Sequence, residues 1–277
     1  MKKIIYTINA YPLPYHLKCG VGLSLKQIAA VKADPAKKQA MFAHAISRAV
    51  GPWEKLPLEQ FYYYANEVGA DFHQISEEPI QSLCLPPTLH GYQACNMLKF
   101  YMFHHFINSD YNQMLYLDLD ILIKENARNI FDCIQDNGIH MTVSGDKKQI
   151  HAHNYWLKNN FKVNSDTPFY NGGIIYADRK SITDFYQKVP QLGEWQEYYK
   201  KYNLHENFTA DNDVEFNEQN WLSFFFREQN IEIKELSRNW NSPALSQDKG
   251  DDFIHYYGEE GKRELIELHK KRQATPV

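Results

Sequence analysis

The sequence predicts an α/β fold in which a mostly parallel sheet is flanked by helices. Apolar segments rich in β-favouring residues recur at 4–8, 114–123 and 139–143, and segments with helical spacing lie between them. The segment at 114–123 is almost wholly apolar, which is typical of a strand covered on both faces. Alternating strands and helices favour a parallel sheet. With 277 residues and 43% hydrophobic content, the chain can form one large domain.

The first part of the chain predicts a strand, a set of helices and a second strand. The strand at 4–8 enters a loop at the Asn-Ala-Tyr-Pro sequence that follows it. Asp34-Pro35 separates two of the helices. The further elements predicted up to the apolar strand are helices at 23–31, 36–50, 58–68 and 92–107, a strand at 72–75 and a proline-containing connection at 76–89.

The second part continues the alternation, with one irregular interruption. Residues 146–167 show no clean period and contain His151 and His153, so we expect a binding loop there. An ordinary surface insertion is the alternative. The remaining predicted elements are helices at 130–134, 181–202 and 213–227, strands at 139–143 and 231–236, and a strand followed by a loop at 252–262.

Composition excludes several classes of function. A net charge of −4 gives no general attraction to nucleic acid or to anionic membranes. The four cysteines lie far apart, so neither a zinc knuckle nor a disulfide framework is predicted. No signal peptide or transmembrane run is visible, and we expect a cytoplasmic protein. The basic residues at 270–272 favour at most weak peripheral contact with the inner face of a membrane.

Two aspartates interrupt the apolar strand at 114–123. Asp118 and Asp120 are two residues apart, so in an extended strand they point to the same side, about 7 Å apart. Their mutual repulsion would be reversed by a cation. Hard divalent ions prefer carboxylate oxygens, so the pair predicts a Mg²⁺ or Mn²⁺ site for a phosphate-bearing substrate. The alternative is a solvated strand end with two capping aspartates.

Three later segments add candidate site residues. Paired glycines after Asn171 precede an apolar strand and permit close approach of a backbone or ligand, although a tight bend also explains them. The triplet at 211–213 precedes a predicted helix, where capping accounts for at least one member. His255 ends a short strand, and Lys262 follows it. A third metal ligand with a nearby lysine suits a diphosphate, whose charge must be neutralised on departure.

The order of these segments resembles glycosyltransferases of the GT-A fold, family 8, which include bacterial lipooligosaccharide galactosyltransferases and glycogenin. Lys99 is similar to the basic residue before the family's Leu-Tyr-Leu-Asp-x-Asp, and Asn-Gly-Gly is similar to its glycine-rich strand. The triplet at 211–213 is similar to the family's Asp-Gln-Asp, with Asn212 in place of glutamine. His255, Gly258 and Lys262 are similar to its closing His-x-x-Gly-x-x-Lys. The resemblance covers residues 98–262.

The resemblance implies transfer of a hexose or related sugar, with retention, from a UDP-linked donor to a glycan or lipid-linked acceptor in surface polysaccharide biosynthesis. The implied metal is Mn²⁺ or Mg²⁺, and imidazole beside carboxylates favours Mn²⁺. A nucleotide-binding half at 1–123 and an acceptor-side half at 124–277 form one domain. The implied metal ligands are Asp118, Asp120 and His255, the catalytic residues are Asp211, Asn212 and Asp213, and the donor-binding residues are Ile8, Asn9, Tyr11, Lys99, Asp118, Leu119, Asn171, Gly172, Gly173, Gly258 and Lys262.

Two other classes of function compete with this interpretation. A phosphohydrolase of the haloacid dehalogenase type also uses Asp-x-Asp at a strand end. Its motif continues to Thr or Val two residues beyond the second aspartate, where this chain has Leu122. The other rival is a nucleotide-sugar or carbohydrate-binding protein without turnover.

Overall fold

The structure, a computed structural model, describes residues 1–10, 55–76, 78–85, 95–145, 147–161, 168–201, 218–244 and 251–274. The helices predicted at 23–31 and 36–50 lie outside these residues. So do four predicted site residues, which are Tyr11, Asp211, Asn212 and Asp213.

The described strands form a central sheet and a smaller one. In the central sheet the order is β2-β1-β3-β6-β5-β7, and only β6 runs against the others. This confirms the predicted α/β fold with a mostly parallel sheet. The strands are β1 (Lys3–Ile8), β2 (Asp71–Ile75), β3 (Gln113–Leu117), β4 (Ile121–Ile123), β5 (Ile139–Val143), β6 (Tyr170–Asp178), β7 (Ile233–Glu235), β8 (Ser242–Pro243) and β9 (Phe253–His255).

Helices cover both faces of the central sheet, which explains the apolar character of its strands. They are α1 (Lys55–Val68), α2 (Leu98–Ile107), α3 (Ile130–Cys133), α4 (Lys147–Phe161), α5 (Arg179–Tyr186), α6 (Trp195–Lys201), α7 (Glu218–Glu228) and α8 (Gly258–Ala274). On one face, Phe103, Trp195 and Phe225 from α2, α6 and α7 are fully buried. On the other, Phe61 of α1 and Phe131 of α3 pack against the sheet.

The smaller sheet corrects the prediction of one strand at 114–123. The segment consists of β3 in the central sheet and β4 in a three-stranded sheet ordered β4-β9-β8, with a turn between them. The Ile121 amide donates to the Asp118 carbonyl across this turn, at 3.2 Å. Both strands are buried, so apolar residues lie on either side of the turn at which the chain passes from one sheet to the other. Apolarity alone therefore could not reveal the boundary.

The loop predicted at 146–167 was also wrong, because residues 147–161 form helix α4. His153, Leu157 and Phe161 are spaced by four residues along one face, which is helical periodicity. His153 is fully buried beside Asn220, whose Nδ2 lies 3.2 Å from His153 Nδ1, while His151 is exposed. His153 thus occupies a position on the buried face of α4 that an apolar residue would usually fill. Counting it as polar concealed the helical periodicity of the segment.

Several smaller predictions can also be compared with the structure. The strands predicted at 72–75, 139–143 and 231–236 and the helices at 58–68 and 130–134 are confirmed. The connection at 76–89 contains a 3-10 helix, Glu78–Leu83. The segment predicted as a strand and loop at 252–262 instead continues from β9 into α8, so Gly258 and Lys262 lie in the first turns of a helix. Within the described residues, no helix is both long enough and apolar enough to cross a membrane.

Candidate metal centre

The candidate site lies where the two sheets meet. Asp118 follows β3 and its amide donates to the Gly173 carbonyl of β6, at 2.8 Å. Asp120 precedes β4, and the Tyr256 amide donates to the Asp120 carbonyl at 2.7 Å. Because β4 and β9 are antiparallel with Ile121 opposite His255, the histidine lies beside Asp120. Backbone hydrogen bonds of both sheets therefore fix the positions of the three side chains.

Asp118, Asp120 and His255 form a compact ligand cluster. One ligand atom from each lies within 4.8 Å of the others. The closest pair is His255 Nε2 and Asp120 Oδ1, at 3.1 Å. The two aspartates are not extended neighbours as predicted, since the turn between β3 and β4 brings them together. The predicted cluster is nevertheless present, and it includes the predicted histidine.

The chemistry and spacing of the cluster fit a divalent cation. In an octahedral ion with bonds of about 2.1 Å, adjacent ligand atoms lie about 3 Å apart. The 3.1 Å between His255 Nε2 and Asp120 Oδ1 matches this spacing. Two carboxylates and one imidazole are suitable ligands for Mn²⁺ or Mg²⁺. The three residues could therefore hold a metal ion of this type.

A buried ion-pair network supports Asp118. Lys99 Nζ lies 2.5 Å from Glu218 Oε1 and 3.4 Å from Asp118 Oδ1, with only 1% of its side chain exposed. Burial lowers the pKa of Lys99, but the two carboxylates outweigh that effect and the net pKa is raised. Burial, followed by the Asp118 charge, raises the pKa of Tyr116, whose hydroxyl donates to Asp118 Oδ1. Lys99 is thus buried against the carboxylates of Asp118 and Glu218 and does not face solvent.

The surroundings of His255 favour the protonated form of its imidazole. Burial lowers the pKa of its imidazole, but attraction to Asp120 and the hydrogen bond between them outweigh burial, so the pKa is raised. The imidazolium can donate from Nε2 to Asp120 and from Nδ1 to Asn241 Oδ1, which lies 2.9 Å away. A metal ion at this site would replace the Nε2 proton.

The paired glycines provide space for these side chains. They lie within β6, not before a strand as predicted. A Cβ added to Gly173 would lie 2.5 Å from His255 Cε1. At Gly172, it would lie 3.0 Å from Gln219 Cγ and 3.1 Å from Lys99 Nζ. The predicted close approach is therefore present. The groups that approach the strand are side chains of the protein itself, His255 at Gly173 and Lys99 and Gln219 at Gly172.

Comparison with solved structures identifies the architecture. The structure of a glycosyltransferase involved in glycosylation of the major capsid of PBCV-1 superposes with a TM-score of 0.51 at 12% identity. The alignment covers 98% of this chain and 100% of that one. The chain has a glycosyltransferase fold. The predicted resemblance to GT-A glycosyltransferases is thus confirmed at the level of the fold.

Two further solved structures give lower TM-scores. The galactosyltransferase LgtC in complex with donor and acceptor sugar analogs gives a TM-score of 0.48 at 12% identity, covering 99% of this chain and 97% of that one. Mouse xyloside xylosyltransferase 1 gives 0.46 at 13% identity, covering 92% and 97%. No protein-family model and no curated protein sequence matches the chain.

Within this fold, three site residues were missed by sequence reasoning. Glu218 and Gln219 begin α7, and their side chains border the space that a Cβ on Gly172 would occupy. An available signal was their acid-amide pair, which resembles the pair predicted at Asp211 and Asn212. Asn241 contacts His255 and had no recognisable signal, because its position depends on the pairing of β8 with β9.

The other predicted donor residues that the structure describes lie around the same sheet edge or at the start of α8. Ile8 and Asn9 are at the end of β1, where the Thr7 hydroxyl donates to the Leu117 carbonyl of β3 at 2.8 Å. Leu119 is half-buried in the turn between the sheets. Gly258 begins α8, three positions after His255, and Lys262 lies four residues further along that helix.

Proposed function

We propose that this chain is a metal-dependent glycosyltransferase that moves a hexose or related sugar from a UDP-linked donor to a glycan or lipid-linked saccharide. The observation that carries the proposal is the Asp118, Asp120 and His255 cluster. It lies at the meeting point of two sheets in a glycosyltransferase fold, which the chain shares with an enzyme of capsid glycosylation. A cation held by the cluster would neutralise charge on the diphosphate of UDP, which is the leaving group of such a donor.

The proposed metal is Mn²⁺ or Mg²⁺. When bound, it would act as a Lewis acid on the diphosphate oxygens. The chain's own residues hold one of its ligands in place, since Lys99 and the Tyr116 hydroxyl both contact the Asp118 carboxylate. Gly258 and Lys262 are proposed to contact the diphosphate, because the N-terminus of α8 and a lysine both favour anions.

The sugar is proposed to lie between the diphosphate and the residues around Asn171. Retention is proposed because the resemblance implies it. Since the neutral amide of Asn212 is a poor nucleophile, the proposed route has departure and attack on one face, in place of a double displacement. Glu218 and Gln219 also border this space, at Gly172. The proposed base-binding residues are Ile8, Asn9, Tyr11 and Leu119, the residues near the sugar are Asn171, Gly172 and Gly173, and the catalytic residues are Asp211, Asn212 and Asp213.

The acceptor and setting are proposed from the sequence resemblance. Residues 1–123 would bind the nucleotide and residues 124–277 would carry the acceptor side. A role in surface polysaccharide biosynthesis would place the enzyme in the cytoplasm at the inner face of the membrane. Lys270 and Arg272, which are exposed at the end of α8, could support peripheral contact with anionic lipid.

A donor-turnover assay tests the proposal. UDP-sugars would be screened with Mn²⁺ by thermal shift and by UDP release, with D120N compared against E125Q. Asp120 belongs to the ligand cluster, whereas Glu125 follows β4 with 87% of its side chain exposed. We expect D120N to lose at least about a hundredfold in turnover, because metal stabilisation of the leaving charge is worth several kcal/mol. E125Q should retain wild-type turnover.

Other results would contradict specific parts of the proposal. Near-normal turnover by D120N would exclude the metal site. Donor binding without UDP release or transfer would identify a binding protein, and rapid metal-dependent hydrolysis of p-nitrophenyl phosphate would identify a phosphohydrolase. NMR of the product gives the anomeric configuration, and inversion would require a carboxylate or histidine base in place of the retaining route.

A further inference from the structure

A chain of hydrogen bonds leads from the backbone of β6 to the candidate metal ligand His255. The Gly173 amide lies 2.9 Å from Asn171 Oδ1, and Asn241 Nδ2 lies 3.1 Å from the same oxygen. Asn241 Oδ1 in turn lies 2.9 Å from His255 Nδ1. The other ring nitrogen, Nε2, faces Asp120 Oδ1 at 3.1 Å. Asn241 therefore joins the glycine-rich strand to the metal cluster.

The backbone end of this chain determines the direction of every bond in it. An amide N–H can only donate, so the Asn171 atom bonded to Gly173 must be the carbonyl oxygen. Asn241 must then present its NH₂ group to that oxygen, and its own carbonyl oxygen faces the imidazole. An oxygen acceptor requires His255 Nδ1 to carry a hydrogen. The nitrogen left for a cation is Nε2, which is the one that faces the aspartates.

We propose that Asn241 is a positioning residue that fixes the ring orientation and tautomer of His255 for metal binding. Asn241 is only 7% exposed and lies between the 3-10 helix Arg238–Trp240 and β8. The backbone N–H of Asn241 donates to the Arg238 carbonyl at 2.9 Å, and the next residue, Ser242, pairs with Ile254 of β9. Asn241 is thus held by the same small sheet that carries the histidine.

Oriented outer partners of this kind make a metal-ligating histidine a better ligand. Such partners fix the ring and raise its basicity, and their loss costs about 10- to 100-fold in metal affinity. The inference rests on the proposed function, because it assigns Asn241 a role only toward the metal ion. It deepens that proposal by adding a residue that does not itself touch the ion.

The test is Mn²⁺ affinity, measured by calorimetry on four forms of the full chain. N241L keeps similar bulk but cannot hydrogen-bond, so we expect affinity to fall about 10- to 100-fold. N241D retains an oxygen acceptor toward Nδ1, and we expect affinity within a few-fold of wild type. S242A is the matched control, because Ser242 is the adjacent buried residue and its hydroxyl has no hydrogen-bond partner among the described residues.

A second measurement does not depend on the folding of N241L. In ¹⁵N-histidine-labelled wild-type protein with Zn²⁺ as a diamagnetic probe, His255 should show a protonated Nδ1 and a metal-bound Nε2. The signal is assigned by its absence in H255Q. Binding through Nδ1 would overturn the inference whatever the variants do.

The outcomes separate the inference from the function on which it rests. Equal Mn²⁺ affinity of wild type and N241L would overturn the role of Asn241 and leave the metal-dependent function standing. Failure of the wild type to bind Mn²⁺ would overturn the metal-dependent function itself. A loss in N241L that N241D does not share, with S242A unchanged, supports the positioning role.

Discussion

At the scale of the residue, the absence of a side chain at Gly173 leaves the space that the His255 ring occupies. We predict that G173A weakens Mn²⁺ binding by about tenfold or more, because its Cβ would lie 2.5 Å from His255 Cε1 and would displace the ring. The change should have little effect on the fold, since the backbone there is ordinary strand. Calorimetric titration with Mn²⁺ gives the affinity, and thermal melting reports the fold.

The matched control for this prediction is G145A. A Cβ on Gly145 would meet nothing within 4 Å, and the residue follows β5 and is not a member of the ligand cluster. G145A should bind Mn²⁺ as the wild type does. If G173A and G145A bound the ion equally well, steric displacement of His255 would be excluded as the reason for a glycine at 173.

The clustering of the candidate ligand residues could be predicted from the sequence, whereas their supporting contacts could not. Asp118, Asp120 and His255 are chemically conspicuous beside apolar strands. Asn241 carries no such mark and Glu218 only its pairing with Gln219, because an Asn or Glu is a common surface residue until the fold buries it. Both are less than 10% exposed here, and each is defined by contacts between residues more than ten positions apart.

At the scale of the element, Arg179 connects two helices. It begins α5, and its guanidinium reaches the end of α2, donating to the carbonyls of Phe106 at 3.1 Å and Ile107 at 2.9 Å and also to Tyr111. Carbonyls in the last turn of a helix lack intrahelical partners, and a cation there is favourable. We predict that R179M lowers the free energy of unfolding by about 2–3 kcal/mol, measured by urea denaturation.

The neighbouring Lys180 provides the comparison. Its side chain is 81% exposed and pairs with Asp184 on the surface of the same helix. K180M should therefore leave the urea midpoint almost unchanged. If the two variants unfolded at the same urea concentration, the contact between Arg179 and the end of α2 would not be a stabilising one.

Elements were predictable where apolar residues alone define them. The strands at 4–8 and 139–143 are confirmed, and most of their side chains are buried in a single sheet. The segment at 114–123 was predicted as one strand because apolar, buried residues lie on both sides of a change of sheet, which composition does not record. Helix α4 was missed because His153 occupies a buried position that a count of apolar residues leaves empty.

At the scale of the whole molecule, buried histidine makes global stability depend on pH. Burial, assisted by the Arg227 charge, lowers the pKa of His153 from 6.5 to about 4. Between these values the unfolded chain binds a proton that the folded chain does not, so stability is full above pH 6.5 and falls as pH decreases. At about 1.4 kcal/mol per pKa unit, His153 should cost about 2 kcal/mol between pH 7 and pH 5.

Urea denaturation at several pH values tests this expectation. H153Q should show a smaller loss of stability between pH 7 and pH 5 than the wild type, even if it is less stable overall. H151Q lies two residues earlier with an exposed side chain, and it should keep the wild-type pH dependence. A wild-type slope in H153Q would mean that other groups produce the acid sensitivity.

The meeting of the two sheets at one cluster has a consequence for folding. Asp118 is held by the central sheet, whereas Asp120 and His255 are held by three short strands that pair with one another. A cation bound by all three would act as a cross-link between a large cooperative unit and a small one. Local opening of the small sheet would then require release of the ion, so ion binding and local order would be a single equilibrium.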